Sequence, residues 1–271
     1  MLRQLSMRSS FATPVLLAAW LCLVLPAATA EPAAPSRLTF EVASIKPSPS
    51  AAGALYGIKP LPGGTGYTAQ NVPFKLMMAL MYKVPMRQIL GGPDWINTDR
   101  FDIEARADHP SSVDDLHVMF QNLLADRFSL RFHKEVKEGP VYALTVDKSG
   151  LKMKPDKTGQ ALGVPIVPAP GGGFAGTRVP MQYLSWWLGQ QLQNDGRPVV
   201  DETGLDQSYD FTLSFAPQLP PNVSRESLPP EMQNLPSIFD AVREQLGLRL
   251  DARRGPIEYY VIDNVDRPSA N

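Results

Sequence analysis

The residues whose types could do chemistry are few, and their spacing is the first test of each. Ser149-Gly-Leu-Lys152 has the Ser-x-x-Lys pattern in which a lysine activates a serine for acyl transfer, and Lys157-Thr-Gly159 follows closely. That chemistry puts Ser-x-x-Lys at the start of a helix and Lys-Thr-Gly on a distant strand. Here the two are almost contiguous, Lys154-Pro155 breaks a helix, and no Ser-Asp-Asn occurs, so the match reads as coincidence. His109, His117 and His133 fall on a loop, a helix flank and a strand, whereas zinc needs three or four ligands at set spacing. Asp114 shares a helix face with His117, but the histidines read as solvated polar surface, and no metal site is expected. The stretch 91–108, GGPDWINTDRFDIEARAD, gathers carboxylates, including Asp102 and Glu104 two apart on one strand face. Paired acids hydrolyse glycosides only across a cleft of fixed width, and neither this pair nor Asp201/Glu202 has that spacing. Gly-x-Ser-x-Gly, His-Glu-x-x-His, phosphate-loop and dinucleotide patterns are absent from the sequence. No catalytic residue and no cofactor is therefore assigned.

Apolar and aromatic surfaces offer more. Residues 74–86 carry Met77, Met78, Met81 and Met86 with only Lys75 and Lys83 charged, a composition suited to filling a core or an adaptable groove. In MQYLSWWLGQQL (181–192), Leu184, Trp187, Leu188 and Leu192 make one buried stripe at helical spacing. Tyr183 and Trp186 stand beside it at i, i+3, close to the loops at 156–172 and 216–236. Rigid scaffolds carry binding residues on or near loops, and large aromatics anchor interfaces. Tyr183 and Trp186 are the candidate ligand- or partner-binding residues.

These side chains are positioned by elements that occur twice. GYTAQNVPF (66–74) and GFAGTRVPM (173–181) share Gly-aromatic, four residues, Val-Pro-apolar. A helical stretch follows each, then a Gly-x-Pro element and an aromatic-Asp-apolar strand start, a second helix, and two alternating runs around Gly-Pro. The matched order predicts tandem copies near 38–149 and 150–268. Each copy reads ββαβαββ, an α+β unit with helices packed on a mainly antiparallel sheet. Pro73 and Pro180 open helices, Ser112 with Asp115 makes a capping box, and Gly139-Pro140 is expected in a hairpin turn. The Gly-x-Pro punctuation recurs while the acids around it change position. Residues 91–108 are thus read as a turn feeding a strand, with Asp102 and Asp210 bonded to nearby backbone.

The N-terminus supplies an address. Arg3 and Arg8 precede an apolar run, and Ala28-Thr-Ala30 ends it, the layout of a secretory signal peptide over 1–30 with cleavage after Ala30. The run is short for a bilayer span and stops at a cleavage pattern, so no stable membrane insertion is expected after cleavage. Cys22, the only cysteine, lies inside it, so the remaining chain depends on a hydrophobic core and not on disulfides. The formal net charge of −1 gives no reason to expect nucleic acid as a partner. A periplasmic or secreted location follows.

FEVASIKPS, GGPDWINTDRFDIEARA, LLADRFSLRFHKEVKEGPVYALTV, RPVVDETGLDQSYDFTL and IFDAVREQLGLRLDARRGPIEYYVID together resemble the soil-associated family of secreted bacterial proteins of unknown function. The blocks span nearly all of the chain beyond the signal. The resemblance implies export, and relatives fused behind antibiotic-sensor-type membrane metallopeptidases imply sensing or ligand binding. It supplies no catalytic residues. The expected function is an extracytoplasmic binding, sensing or protein-interaction module without an evident catalytic site, its partner an unidentified protein or small molecule. The alternative is a secreted hydrolase with an unrecognised carboxylate or histidine site.

Overall fold

In the computed structural model, residues 37–49, 56–156, 163–170, 172–192, 195–219 and 222–268 are described. The signal-peptide segment 1–30 lies outside them. In chain order the first half holds β1 (Val42–Pro47), β2 (Gly57–Pro60), β3 (Gly66–Pro73), α1 (Phe74–Met81), β4 (Ile89–Gly91), α2 (Trp95–Thr98), β5 (Arg100–Arg106), α3 (Val113–Arg127) and β6 (Arg131–Val146). The second half holds β7 (Lys154–Asp156), β8 (Ile166–Pro168), β9 (Phe174–Pro180), α4 (Met181–Gln191), β10 (Val199–Asp201), β11 (Ser208–Leu213), α5 (Pro230–Gln233) and α6 (Ile238–Ala241). A π-helical turn over Val242–Leu246 extends α6, and β12 (Leu248–Asn264) closes the chain. The protein is α+β.

Among the described residues three four-stranded sheets result, with orders β1-β5-β3-β2, β10-β6-β12-β4 and β7-β11-β9-β8. When β1, β5, β3 and β2 are matched to β7, β11, β9 and β8, the outer sheets have the same order. All their pairings are antiparallel. The central sheet is built by exchange. β6 and β12 run antiparallel from Leu248↔Val146 to Asn264↔Arg131. β4 of the first half adds parallel to β12, and β10 of the second half adds parallel to β6.

The expected hairpin turn at Gly139-Pro140 is not there. Both Gly-Pro pairs lie inside continuous strands and face each other, with Gly255 opposite Gly139. A proline fits a strand where its missing N–H would point to an unpaired edge. β10 covers β6 only from Tyr142 to Leu144, and β4 covers β12 only from Tyr260 to Ile262, so Pro140 and Pro256 both fall on open edge.

Each outer sheet and its helices enclose a core. Phe74, Met77, Met78, Met81, Phe120 and Phe128 are sealed in one; Leu184, Leu188, Leu192, Val242 and Leu246 in the other. Met86 is half exposed, outside the methionine cluster's buried part. α3 starts as its capping box predicts: Ser112 Oγ accepts from the Asp115 N–H at 3.0 Å, and Ser237 with Asp240 repeats the arrangement on α6.

Asp102 and its counterpart Asp210 each bond to nearby backbone. Asn71 and Arg178, each just before Val-Pro, take left-handed φ values of 55° and 53°. That turns their N–H groups out of the ladder at a bulge in each sheet. Asp102 Oδ1 accepts the first at 2.8 Å and Asp210 Oδ1 the second at 2.7 Å. Asp102→Asn and Asp210→Asn are each expected to cost about 1 kcal/mol in denaturant unfolding, through a weakened charge-assisted bond. Ligand binding should be untouched; its loss at unchanged stability would make these aspartates site residues. Three other acids of this stretch are also engaged: Asp99 with Arg267, Glu104 with Arg106, Asp108 with His109. Trp95 packs between Phe74 and Phe101.

Candidate functional site

α4 begins after Pro180 and sets its residues about 100° apart, so neighbours in sequence face different walls. Leu184, Trp187, Leu188 and Leu192 turn to the core as the spacing predicts. Trp187 meets Phe174 at 4.8 Å and Phe215 at 6.1 Å, on the side from which the 156–172 and 216–236 loops leave. Trp186 points elsewhere. It lines a cavity of about 380 Å³ between α4 and the central sheet, walled by Lys83, Gln88, Pro198–Asp201 and Pro256–Glu258. Its expected position near the loops is therefore Trp187's. Tyr183 is buried, not at an open border; it lies 5.4 Å from Trp186 and 5.9 Å under the Lys83 ammonium. Burial, with Asp114 nearby, pushes its hydroxyl up to about 12.

Three features distinguish this cavity. Trp186 Nε1 and Ser185 Oγ are both sealed from water with no partner among the described residues, and both residues line it. A buried donor left unpaired costs on the order of 1–3 kcal/mol, so such groups call for a partner that completes them. Ser185 is only 5% exposed. Second, Lys83 is held in a left-handed conformation (φ 54°) where α1 ends, with Val84 N–H donating to Ala79 O at 2.9 Å and Lys83 N–H to Leu80 O at 3.4 Å. That motif ordinarily takes glycine. Its side chain is 12% exposed and reaches Asp114 at 2.8 Å. Third, Gly189 lies inside α4, where glycine weakens a helix, and it lines the same cavity. A Cβ there would make only ordinary contact with Val199, so neither the backbone nor the local packing requires glycine. The position nine residues after the helix-opening proline is Tyr82 in the first half, whose ring packs on Phe132 and Tyr260.

His117 is buried, not solvated. Its Nε2 lies 3.1 Å from the Tyr67 hydroxyl, and Nδ1 has no partner among the described residues. A hydroxyl that donates to Nε2 leaves one orphaned group; the opposite arrangement leaves two. Burial first, then the nearby Lys83 charge, lower the imidazole to about 4. His133 is exposed and held by Asp263 and Glu135, whose hydrogen bonds raise its pKa. Among the described residues no group of three or more His, Cys, Asp or Glu is placed to hold a metal ion. No helix among them is long and apolar enough to cross a membrane.

A larger cavity of about 690 Å³ opens beside Phe174 and Phe215, and Met232 and Leu235 help to line it. Gln218 Oε1 is its one sealed, unpartnered polar atom among the described residues. The Trp186 cavity offers two such donors beside a half-buried ammonium. Sequence reasoning found Trp186 but missed Lys83, Ser185 and Gly189; a glycine in the interior of an aromatic-rich helix was the available signal.

An α+β protein with a cavity of mixed polar and apolar lining between exchanged halves is thus defined. The chain belongs to the DUF3738 family of proteins of unknown function, whose model matches residues 75–265, from within α1 to just past β12. No curated protein and no solved structure gives a match.

Proposed function

We propose that this protein is an extracytoplasmic binding module whose ligand completes the two sealed donors, Ser185 Oγ and Trp186 Nε1, in the cavity beneath α4. That pair of unpartnered groups is the observation that carries the reading. The cavity volume of about 380 Å³ falls within the range of small-molecule sites. The hydrolase alternative would have to rest on Asp201, Glu258 and Lys83, since none of the three histidines lines this cavity. Export rests on the Arg3/Arg8, apolar and Ala-x-Ala pattern of 1–30. Mass spectrometry of the expressed protein is expected to find Glu31 at the N-terminus; a chain retaining Met1 in the cytoplasm would overturn it. A sensing role, as in proteins where such a domain follows a membrane metallopeptidase, belongs to the same proposal. So does descent of 38–149 and 150–268 from one duplicated unit, which the matched order of the outer sheets supports.

Ligand-induced thermal shifts over sugars, peptides, β-lactams and metals test the binding reading. Trp186→Ala is expected to weaken whatever binds by at least about tenfold while moving the melting temperature little. Equal affinity in wild type and variant would place the ligand elsewhere.

A further inference from the structure

We infer that the cavity beneath α4 takes a small zwitterion, an amino acid or short peptide, bound through both of its charged ends; this rests on the binding reading above. The two walls are chemically opposite. Ser185 and Trp186 of α4, whose Oγ and Nε1 are unpartnered among the described residues, line one wall together with the Lys83 ammonium. The strand wall presents two carboxylates, Asp201 on β10 and Glu258 on β12. One oxygen of each is already taken: Asp201 Oδ1 accepts from the Thr203 N–H and hydroxyl, and Glu258 Oε2 pairs with Lys134. The second Asp201 oxygen is the acceptor on offer, whereas Glu258 is also bonded to the Tyr260 hydroxyl. Asp114 takes one of the three Lys83 N–H groups, leaving others for a ligand acceptor. Pro85, Pro198 and Ile257 add apolar wall between the polar groups.

This charge arrangement discriminates among ligands. A phosphate or dicarboxylate would meet two carboxylates for one ammonium. A neutral sugar would bring no charge to either wall, and Lys83 and Glu258 already pair with Asp114 and Lys134. A free amino acid or a short peptide carries a carboxylate acceptor for the donor wall and an ammonium donor for the strand wall, so both polar sets are completed at once. The left-handed Lys83 supports the same assignment. Glycine would relieve the backbone there, yet only a long cationic side chain puts an ammonium at this cavity.

Isothermal titration of the purified chain with alanyl-alanine, N-acetyl-alanyl-alanine, alanyl-alaninamide and glucose tests it. Alanyl-alanine is expected to bind, and blocking either terminus to weaken binding at least about tenfold. Asp201→Asn should weaken the free dipeptide and leave the acetylated one unchanged. Trp186→Phe, which keeps the ring and removes the N–H, should weaken both. Gly189→Phe should abolish binding by filling the space, and Gly189→Ala, compatible with the backbone, should weaken binding without unfolding the chain. Equal binding of free and blocked dipeptides would overturn the zwitterion assignment. Glucose bound in a Gly189-dependent way, with no dipeptide bound, would reject the ligand class and leave the binding reading standing. Dipeptide binding indifferent to Gly189, Trp186 and Asp201 would overturn the site itself.

Discussion

Between pH 6.5 and pH 4 this protein is expected to lose about 3 kcal/mol of stability that His117→Gln does not lose. His117 is 7% exposed, bonded to the Tyr67 hydroxyl, with Lys83 and Asp114 the charged groups near it. Burial and Lys83 hold its folded pKa near 4 against an ordinary value of 6.5, while Asp114 opposes them. Over that window the unfolded chain takes up a proton that the folded chain refuses. The stability from a neutral His117 is thus complete above pH 6.5 and declines as pH falls. It is exhausted below about pH 4, and each pH unit crossed on the way costs about 1.4 kcal/mol. His133, with its raised pKa, works in the opposite direction, gaining stability as it protonates. The comparison of wild type with His117→Gln therefore isolates the buried ring. Urea unfolding at pH 7 and pH 4.5 measures it, and parallel slopes in the two proteins would assign the acid sensitivity to other groups.

Gly64→Ala is expected to destabilise the fold by about 3 kcal/mol, and Gly63→Ala by only about 1 kcal/mol. The adjacent glycines have nearly the same left-handed φ, 68° and 70°, so the backbone penalty for a side chain is common to both. Their surroundings differ. A Cβ at Gly63 meets nothing within 4 Å, whereas one at Gly64 would overlap the Ser111 carbonyl. The Ser111 N–H also donates to Gly64 O at 2.9 Å, so relief of the overlap breaks the tie between the β3 approach and the start of α3. The difference between the two denaturation midpoints reads the steric part alone. Equal losses would mean that the loop yields.

What the sequence announces here is what acts over short range. Ser112 with Asp115 and the spacing of Leu116, Phe120 and Leu124 are settled by neighbours one turn away, and they are found as read. The roles of Asp102 and Asp210 were legible because the punctuation around them recurs while the other acids move. Gly139-Pro140 misleads because proline suits both a turn and an open strand edge, and only the distant β12 decides between them. His117 sits on a helix face whose other residues declare burial, but its own depends on Tyr67 in another element. Trp186 was identifiable as an aromatic beside the stripe. The wall it faces was not, because Lys83, Asp201 and Pro256 come from three separated segments.

The exchanged central sheet sets the order in which this chain can fold. Among the described residues β4 has no strand partner other than β12, the last strand, so the first half cannot complete its pairing until β12 is present. Loop closure over that separation comes before the pairing stabilises it, which puts folding on the slow side for a chain this size. A nascent or truncated chain ending before Leu248 would present β4 and one flank of β6 as open edges, the kind of surface that recruits another strand. A chaperone that shields strand edges during synthesis would therefore act on the first half for as long as the second is unmade.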